Sequence, residues 1–126
     1  MNDQARDRVL IAEDDASIRR MLTVSLRKLG YRTVEACHGG QALDAMRAGE
    51  ADLVVLDLMM PKVTGWQVLA ERAADPALRR IPVIVITAER GDGVSKILDD
   101  GITALLPKPF SLDALQALVK AGLGGA

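Results

Sequence analysis

The sequence predicts an α/β fold: a doubly wound parallel sheet of five strands flanked by five helices. Three observations lead there. Four strand-length runs are almost continuously apolar, the pattern of strands covered on both faces. Helical periodicity fills the gaps between them. The polar residues that break the pattern fall just beyond the carboxyl ends of the runs, where open parallel sheets bind ligands.

The first strand is Val9 to Ala12. Ile18, Met21, Leu22, Leu26 and Leu29 then recur at three- and four-residue steps, predicting a first helix that stops at Gly30. Arg32 to Ala36 is less apolar and more alternating, so it reads as an edge strand. Leu43 and Met46, among alanines, make a second helix closed near Gly49. Leu53 to Leu56 is the third strand, and Trp66, Leu69 and Ala73 mark the third helix. Val83 to Ile86 is the fourth strand. Val94, Ile97 and Leu98 predict a short fourth helix ending at Gly101. Ala104 to Leu106 is the fifth strand. A fifth helix carries Leu112, Leu115, Leu118 and Val119, with Ser111 as N-cap and Asp113 in its first turn. Residues 122–126 are Gly-rich and read as a frayed tail. The chain is thus a single domain, 1–126, with its core at about 8–121.

Composition narrows the function classes. With 126 residues there is room for one ordinary domain. One cysteine excludes an internal disulfide and a cysteine-only metal cage. A net charge of -1 supplies no basic excess for nucleic acid or a membrane surface. Met1 to Arg8 is polar, without the apolar stretch of a signal peptide, and no apolar run reaches spanning length. The reading is a cytoplasmic domain with an aliphatic core, since aromatics are only 2%.

Glu13, Asp14 and Asp15 follow the first strand, Asp57 ends the third, Thr87 ends the fourth and Lys108 follows the fifth. If strands one and three are neighbours, as in the order 2-1-3-4-5 of flavodoxin-like folds, Glu13 and Asp14 face Asp57 across the crevice where strand order reverses. Carboxylates at strand ends are often only helix caps, and Asp15 or Ser17 suits that role. Asp57 is different, because it continues the apolar run LVVL and precedes LMMP. An ionised carboxylate there is costly without compensating charge, and two acidic neighbours raise the cost. A hard divalent cation, Mg2+ or Mn2+, resolves this with oxygen ligands. Lys108, between two prolines, adds a stiffly held point charge suited to phosphate or carboxylate. A carboxylate nucleophile, a cation, a lysine and a hydroxyl together suit phosphoryl transfer through an aspartyl phosphate.

The segments VLIAEDD, LVVLDLMMPKVTG, PVIVITAE and LLPKPF, in this order and spacing, resemble the CheY-like receiver domains of two-component response regulators. The resemblance runs from about Arg8 to Val119 and implies a role for each matching residue. Asp57 corresponds to the phosphoacceptor. Asp14 corresponds to a direct Mg2+ ligand, and Glu13 to one acting mainly through water. A gap-free alignment of SIRRML selects this pair over Asp14 and Asp15. Met59 would give its backbone carbonyl to the metal. Thr87 corresponds to the switch hydroxyl, and the backbone N–H of Ala88 would contact the same phosphoryl oxygens. Lys108 corresponds to the phosphate-pairing lysine, with a cis bond to Pro109. Gly65 corresponds to the glycine of the loop after the acceptor. Met59 and Glu89, two residues beyond Asp57 and Thr87, would flank the hydrolytic water and tune the lifetime of the phosphorylated state.

The resemblance also implies partners and output. A sensor histidine kinase or histidine phosphotransfer protein would donate the phosphoryl group. The chain would catalyse its own phosphorylation and slow autodephosphorylation without being a metabolic enzyme. Output would pass to a target protein, or to a covalently linked output domain, by way of the Thr87 loop, the fourth helix, strand five and the fifth helix. Neither nucleic acid nor membrane is expected as a direct partner, and a stand-alone switch is favoured over an excised receiver. One departure stands out: Leu105 occupies the strand-five position where the family usually has an aromatic ring, so output is expected mainly through Thr87–Gly93 and the fourth helix. Pro107 removes an N–H that an edge strand can spare.

Other residues read as structural. His38 is a surface loop residue, Cys37 a small, partly buried one, and Trp66 packs the third helix. Arg19–Arg20 and Arg79–Arg80 are solvated surface, the former pair near enough to the rim to help dock an acidic partner. Three rivals stand against the switch. A degenerate receiver acting as a binding module would not need the intact acceptor set. A small aspartate phosphatase would need a cap, and a flavodoxin-like carrier a phosphate loop and aromatic rings.

Overall fold

The structure is a computed structural model that describes residues 7–89, 92–95 and 102–124. Its elements run β1 (Arg8–Ala12), α1 (Ala16–Lys28), β2 (Arg32–Ala36), α2 (Gly39–Arg47), β3 (Leu53–Asp57), α3 (Gly65–Ala74), α4 (Pro76–Arg79), β4 (Val83–Thr87), α5 (Asp92–Ser95), β5 (Ala104–Pro107) and α6 (Leu112–Gly124). All five strands are parallel, in the order β2-β1-β3-β4-β5.

The alternation of side chains along each strand divides the core into two layers. Leu10, Val54, Leu56 and Val85 face α2, α3 and α4, where Ala42, Leu43, Met46, Val68 and Leu78 are buried against them. Val9, Ile11, Val55 and Ile84 face the other way, onto Leu22 and Leu26 of α1 and Leu115 and Val119 of α6. Both faces of β1, β3 and β4 are covered, so these strands are apolar throughout. Burying each leucine contributes about 2 kcal/mol. Only part of the α1 stripe joins this core, because Met21 and Leu29 lie 43% and 37% exposed.

Local signals set the element ends. Asp15 caps α1, accepting from Ser17 and Ile18 N–H at 2.9 and 3.1 Å. Beyond α1 and α2 the chain reverses at Gly30 (φ 97°) and Gly49 (φ 75°), where a side chain would be strained. Thr64 and Gln67 close a capping box at the start of α3. Ser111 Oγ accepts from Ala114 N–H at 3.1 Å at the start of α6.

Four features depart from the sequence reading. A one-turn helix, α4, follows α3, started by Asp75 as cap and Pro76 at its first position. Residues 122–124 are not a tail: α6 continues through Gly124 because Leu123 packs against the α1–α6 layer. Gly122 also lies so close to Leu53 that an added Cβ would sit 2.5 Å from its Cδ1. His38 is not a free loop residue: its Nδ1 accepts from Gly40 and Gln41 N–H and caps α2. Cys37 is exposed rather than partly buried. The predicted fourth helix corresponds to α5, and its continuation through Ile97, Leu98 and Gly101 lies outside the described residues, as do Gly91 and residues 125–126.

Candidate functional site

The carboxyl ends of β1 and β3 lie side by side, with Ala12 paired to Leu56. This places the Glu13–Asp14 turn beside Asp57, at the point where strand order reverses. Glu13 and Asp57 are 1% and 2% exposed, whereas Asp14 is open to solvent. The carboxylate oxygens of all three lie within 4.8 Å of one another.

Lys108 enters from the far side of the crevice. Pro107 pairs with Thr87 at the sheet edge, and the Lys108 N–H donates to the Thr87 carbonyl at 2.8 Å. The Lys108–Pro109 peptide is cis. From this mount the Lys108 ammonium donates to Glu13 Oε1 at 3.0 Å and to Asp57 Oδ2 at 3.3 Å. One ammonium cannot balance three carboxylates. The Glu13 carboxyl shows the consequence: burial, opposed by the Lys108 hydrogen bond, pushes it up to about 7. Burial acts to lower the Lys108 ammonium, but the hydrogen bond to Glu13 and the charge of Asp57 outweigh it and hold it above its ordinary value.

Backbone donors fix the carboxylates. Met59 N–H donates to Asp57 Oδ1 at 3.1 Å, and Asp15 N–H to Glu13 Oε2 at 3.1 Å. Gly65 makes this arrangement sterically feasible, since a Cβ there would meet the Asp57 carbonyl oxygen and lie 2.6 Å from Leu58 Cα. Its N–H donates to the Leu58 carbonyl at 3.0 Å, tying the start of α3 to the end of β3. Thr87 is buried, and its Oγ1 accepts from Glu89 N–H at 3.0 Å. Ala88 lies exposed on the rim, and the Met59 side chain is 56% exposed. Leu105 sits half-buried against the α2–α3 layer. Beside Lys108 the crevice opens into a cavity of about 400 Å³ walled by Ile18, Met21, Ala88, Pro109 and Phe110.

Two residues near the rim make contacts that the sequence reading did not anticipate. Arg19 is not solvated surface: its guanidinium donates to the Glu13 and Asp14 carbonyls at 2.8 and 3.4 Å and pairs with Glu35 at 3.1 Å, bracing the acidic turn. Trp66 is 37% exposed, and its indole N–H reaches Glu89 Oε1 at 3.0 Å. The Glu35 and Glu89 contacts have no local sequence signal, because those partners lie 16 and 23 residues away on other elements. Arg20, Arg79 and Arg80 are exposed.

Oxygen-only donors, two of them buried and short of positive charge, fit a hard divalent cation. The geometry defines a class: a flavodoxin-like α/β domain with an acidic, lysine-paired crevice at its switch point. Comparison with known proteins gives the family. Residues 9–120 match the response regulator receiver domain, and the chain belongs to that family. It is 39% identical over 123 residues to the DNA-binding response regulator MtrA of Mycobacterium tuberculosis, covering 96% of this chain and 52% of that protein. It is 38% identical over 122 residues to the probable transcriptional regulator ycf27 of Guillardia theta, covering 95% of this chain and 46% of that protein. The chain therefore spans about half the length of these relatives. Among solved structures, the receiver domain of Francisella response regulator 1452 superposes with a TM-score of 0.86 at 28% identity, covering 94% of this chain and 98% of that one. The receiver domain of a signal transduction histidine kinase from Syntrophus aciditrophicus gives 0.86 at 29%, covering 95% and 92%. Among the described residues, no helix is long and apolar enough to cross a membrane.

Proposed function

We propose that this receiver domain is a phosphorylation-controlled switch in which Asp57 accepts the phosphoryl group of a phosphohistidine. The donor is a sensor histidine kinase or a histidine phosphotransfer protein. The observation that carries the reading is the Lys108 ammonium held between Glu13 and Asp57, at 3.0 and 3.3 Å, in the switch-point crevice.

Asp57 attacks phosphorus in line. The new P–O bond forms as the P–N bond to the donor imidazole breaks, and the ring keeps the electron pair. Met59 N–H orients the attacking carboxylate through Oδ1. Lys108 pairs with a phosphoryl oxygen as charge spreads over it, and the Thr87 hydroxyl and Ala88 N–H donate to the same oxygens. The 400 Å³ cavity beside Lys108 has room for the donor ring. Asp14, Asp57, the Met59 carbonyl and, through water, Glu13 would hold Mg2+ or Mn2+, which supplies positive charge against the transferred phosphoryl group. Hydrolysis resets the switch: water attacks phosphorus, the P–O bond breaks, and Asp57 recovers its carboxylate. Met59 and Glu89 flank that water and tune its access. Output runs through the Thr87 loop, α5, β5 and α6 to a target protein, or to an output domain joined to the receiver. DNA binding is named for relatives of about twice this length.

The test is incubation with Mg2+ and acetyl phosphate, followed by intact-mass measurement. One labile phosphoryl adduct, absent from Asp57→Asn, is expected. No adduct from small donors or from any kinase would assign the chain to phosphorylation-independent protein binding instead.

A further inference from the structure

Trp66 is the protein's single tryptophan, and it stands one residue after Gly65 at the start of α3. The residue before it, Gly65, lies so close to the Asp57 and Leu58 backbone that an added Cβ would collide with both, and its N–H donates to the Leu58 carbonyl at 3.0 Å. From that mount the indole crosses to the loop after β4. Its N–H donates to Glu89 Oε1 at 3.0 Å, and its outer ring edge lies against Gly93 of α5, 3.9 Å from where a Cβ would stand. Glu89 in turn donates its own N–H to Thr87 Oγ1 at 3.0 Å. A hydroxyl that accepts one bond keeps its hydrogen for another acceptor.

We infer that Trp66 is a positioning residue for phosphoryl transfer: through Glu89 it holds the Thr87 hydroxyl with its proton free to donate to the phosphoryl group on Asp57. The chain of contacts is indole to carboxylate, and then the backbone N–H of that same residue to the hydroxyl. It begins and ends beside the acceptor, because Gly65 anchors the indole to the Asp57 backbone. An indole is rigid and reaches far with little loss of side-chain freedom, so it transmits position better than a flexible polar chain.

This inference rests on the proposed function, and one experiment separates the two. Autophosphorylation by acetyl phosphate with Mg2+ is followed by intact mass across donor concentrations, for wild type, Trp66→Phe, Glu89→Ala, Glu89→Gln and the double variant Trp66→Phe/Glu89→Ala. Thermal melts confirm that each variant is folded. Trp66→Phe and Glu89→Ala each lower the maximal rate about three- to tenfold, the worth of one hydrogen bond, with the donor KM within about twofold. The double variant is no slower than the slower single variant, because both remove the same link. Glu89→Gln, which keeps an acceptor for the indole, forms the adduct faster than Glu89→Ala when initial rates are compared before hydrolysis contributes. Wild-type rates in Trp66→Phe, losses that multiply in the double variant, or failure of Glu89→Gln to rescue would overturn the brace while leaving the acceptor role of Asp57 intact. No adduct on the wild-type protein would remove both readings.

Discussion

The Lys108 ammonium lies 3.0 Å from Glu13 Oε1, joining residues 95 positions apart. That ion pair closes the crevice between the first and last strands' loops. It also sets the electrostatics of the site, since the same ammonium reaches Asp57 at 3.3 Å.

Lys108→Ala leaves two nearly buried carboxylates without that cation. Metal-free stability is expected to fall by about 1–3 kcal/mol, below the cost of breaking a fully buried pair because the lysine reaches solvent. Urea unfolding measures it. Added Mg2+ recovers part of the loss, whereas autophosphorylation stays slow, because the metal cannot stand where the ammonium does.

Glu13 predicts a pH dependence. Its carboxyl is raised from 4.5 to about 7 in the fold, chiefly by burial. Its contribution to stability is therefore complete below pH 4.5 and disappears as pH rises through about 7. In chelator, the melting temperature of wild type relative to Glu13→Gln should drop between pH 5 and pH 8. A flat difference across that window would contradict the burial argument. The raised ammonium of Lys108 titrates above its ordinary 10.5 and adds nothing there.

Gly65→Ala should cost about 2–3 kcal/mol, because its Cβ meets backbone rather than a side chain that can turn away. It should also weaken Mg2+-induced stabilisation, since Asp57 has to shift. Gly124→Ala, with nothing within 4 Å, is the control and leaves both readouts unchanged.

Asp14 and Asp15 should separate cleanly. Asp15→Ala removes the cap that receives two N–H bonds and lowers stability by about 1 kcal/mol, yet keeps the Mg2+ response. Asp14→Asn barely moves metal-free stability but abolishes the rise in melting temperature with Mg2+. Calorimetry with and without the metal distinguishes them.

Much of this protein was determined by sequence alone. Strand and helix periods are local properties, so Val9–Ala12, Leu53–Leu56 and Val83–Ile86 announced a covered parallel sheet, while the pairing of β1 with β3 that sets Asp57 beside Glu13 and Asp14 belongs to the tertiary structure. The caps at Asp15 and Ser111 were equally local, each a side chain bonded two or three residues onward. Tertiary structure decided what depends on distant partners. The surface-reading Arg19 became a brace because Glu35 and the Glu13 carbonyl converge on it. Gly122 and Leu123 became helix because Leu53 and the α1–α6 layer receive them. Trp66, read as a packing residue, turned outward because Glu89 offered its carboxylate from the loop after β4. Periodicity records which face of an element is buried, but a hydrogen bond across the fold has no period. It exists only once β3 and β4 have been laid side by side.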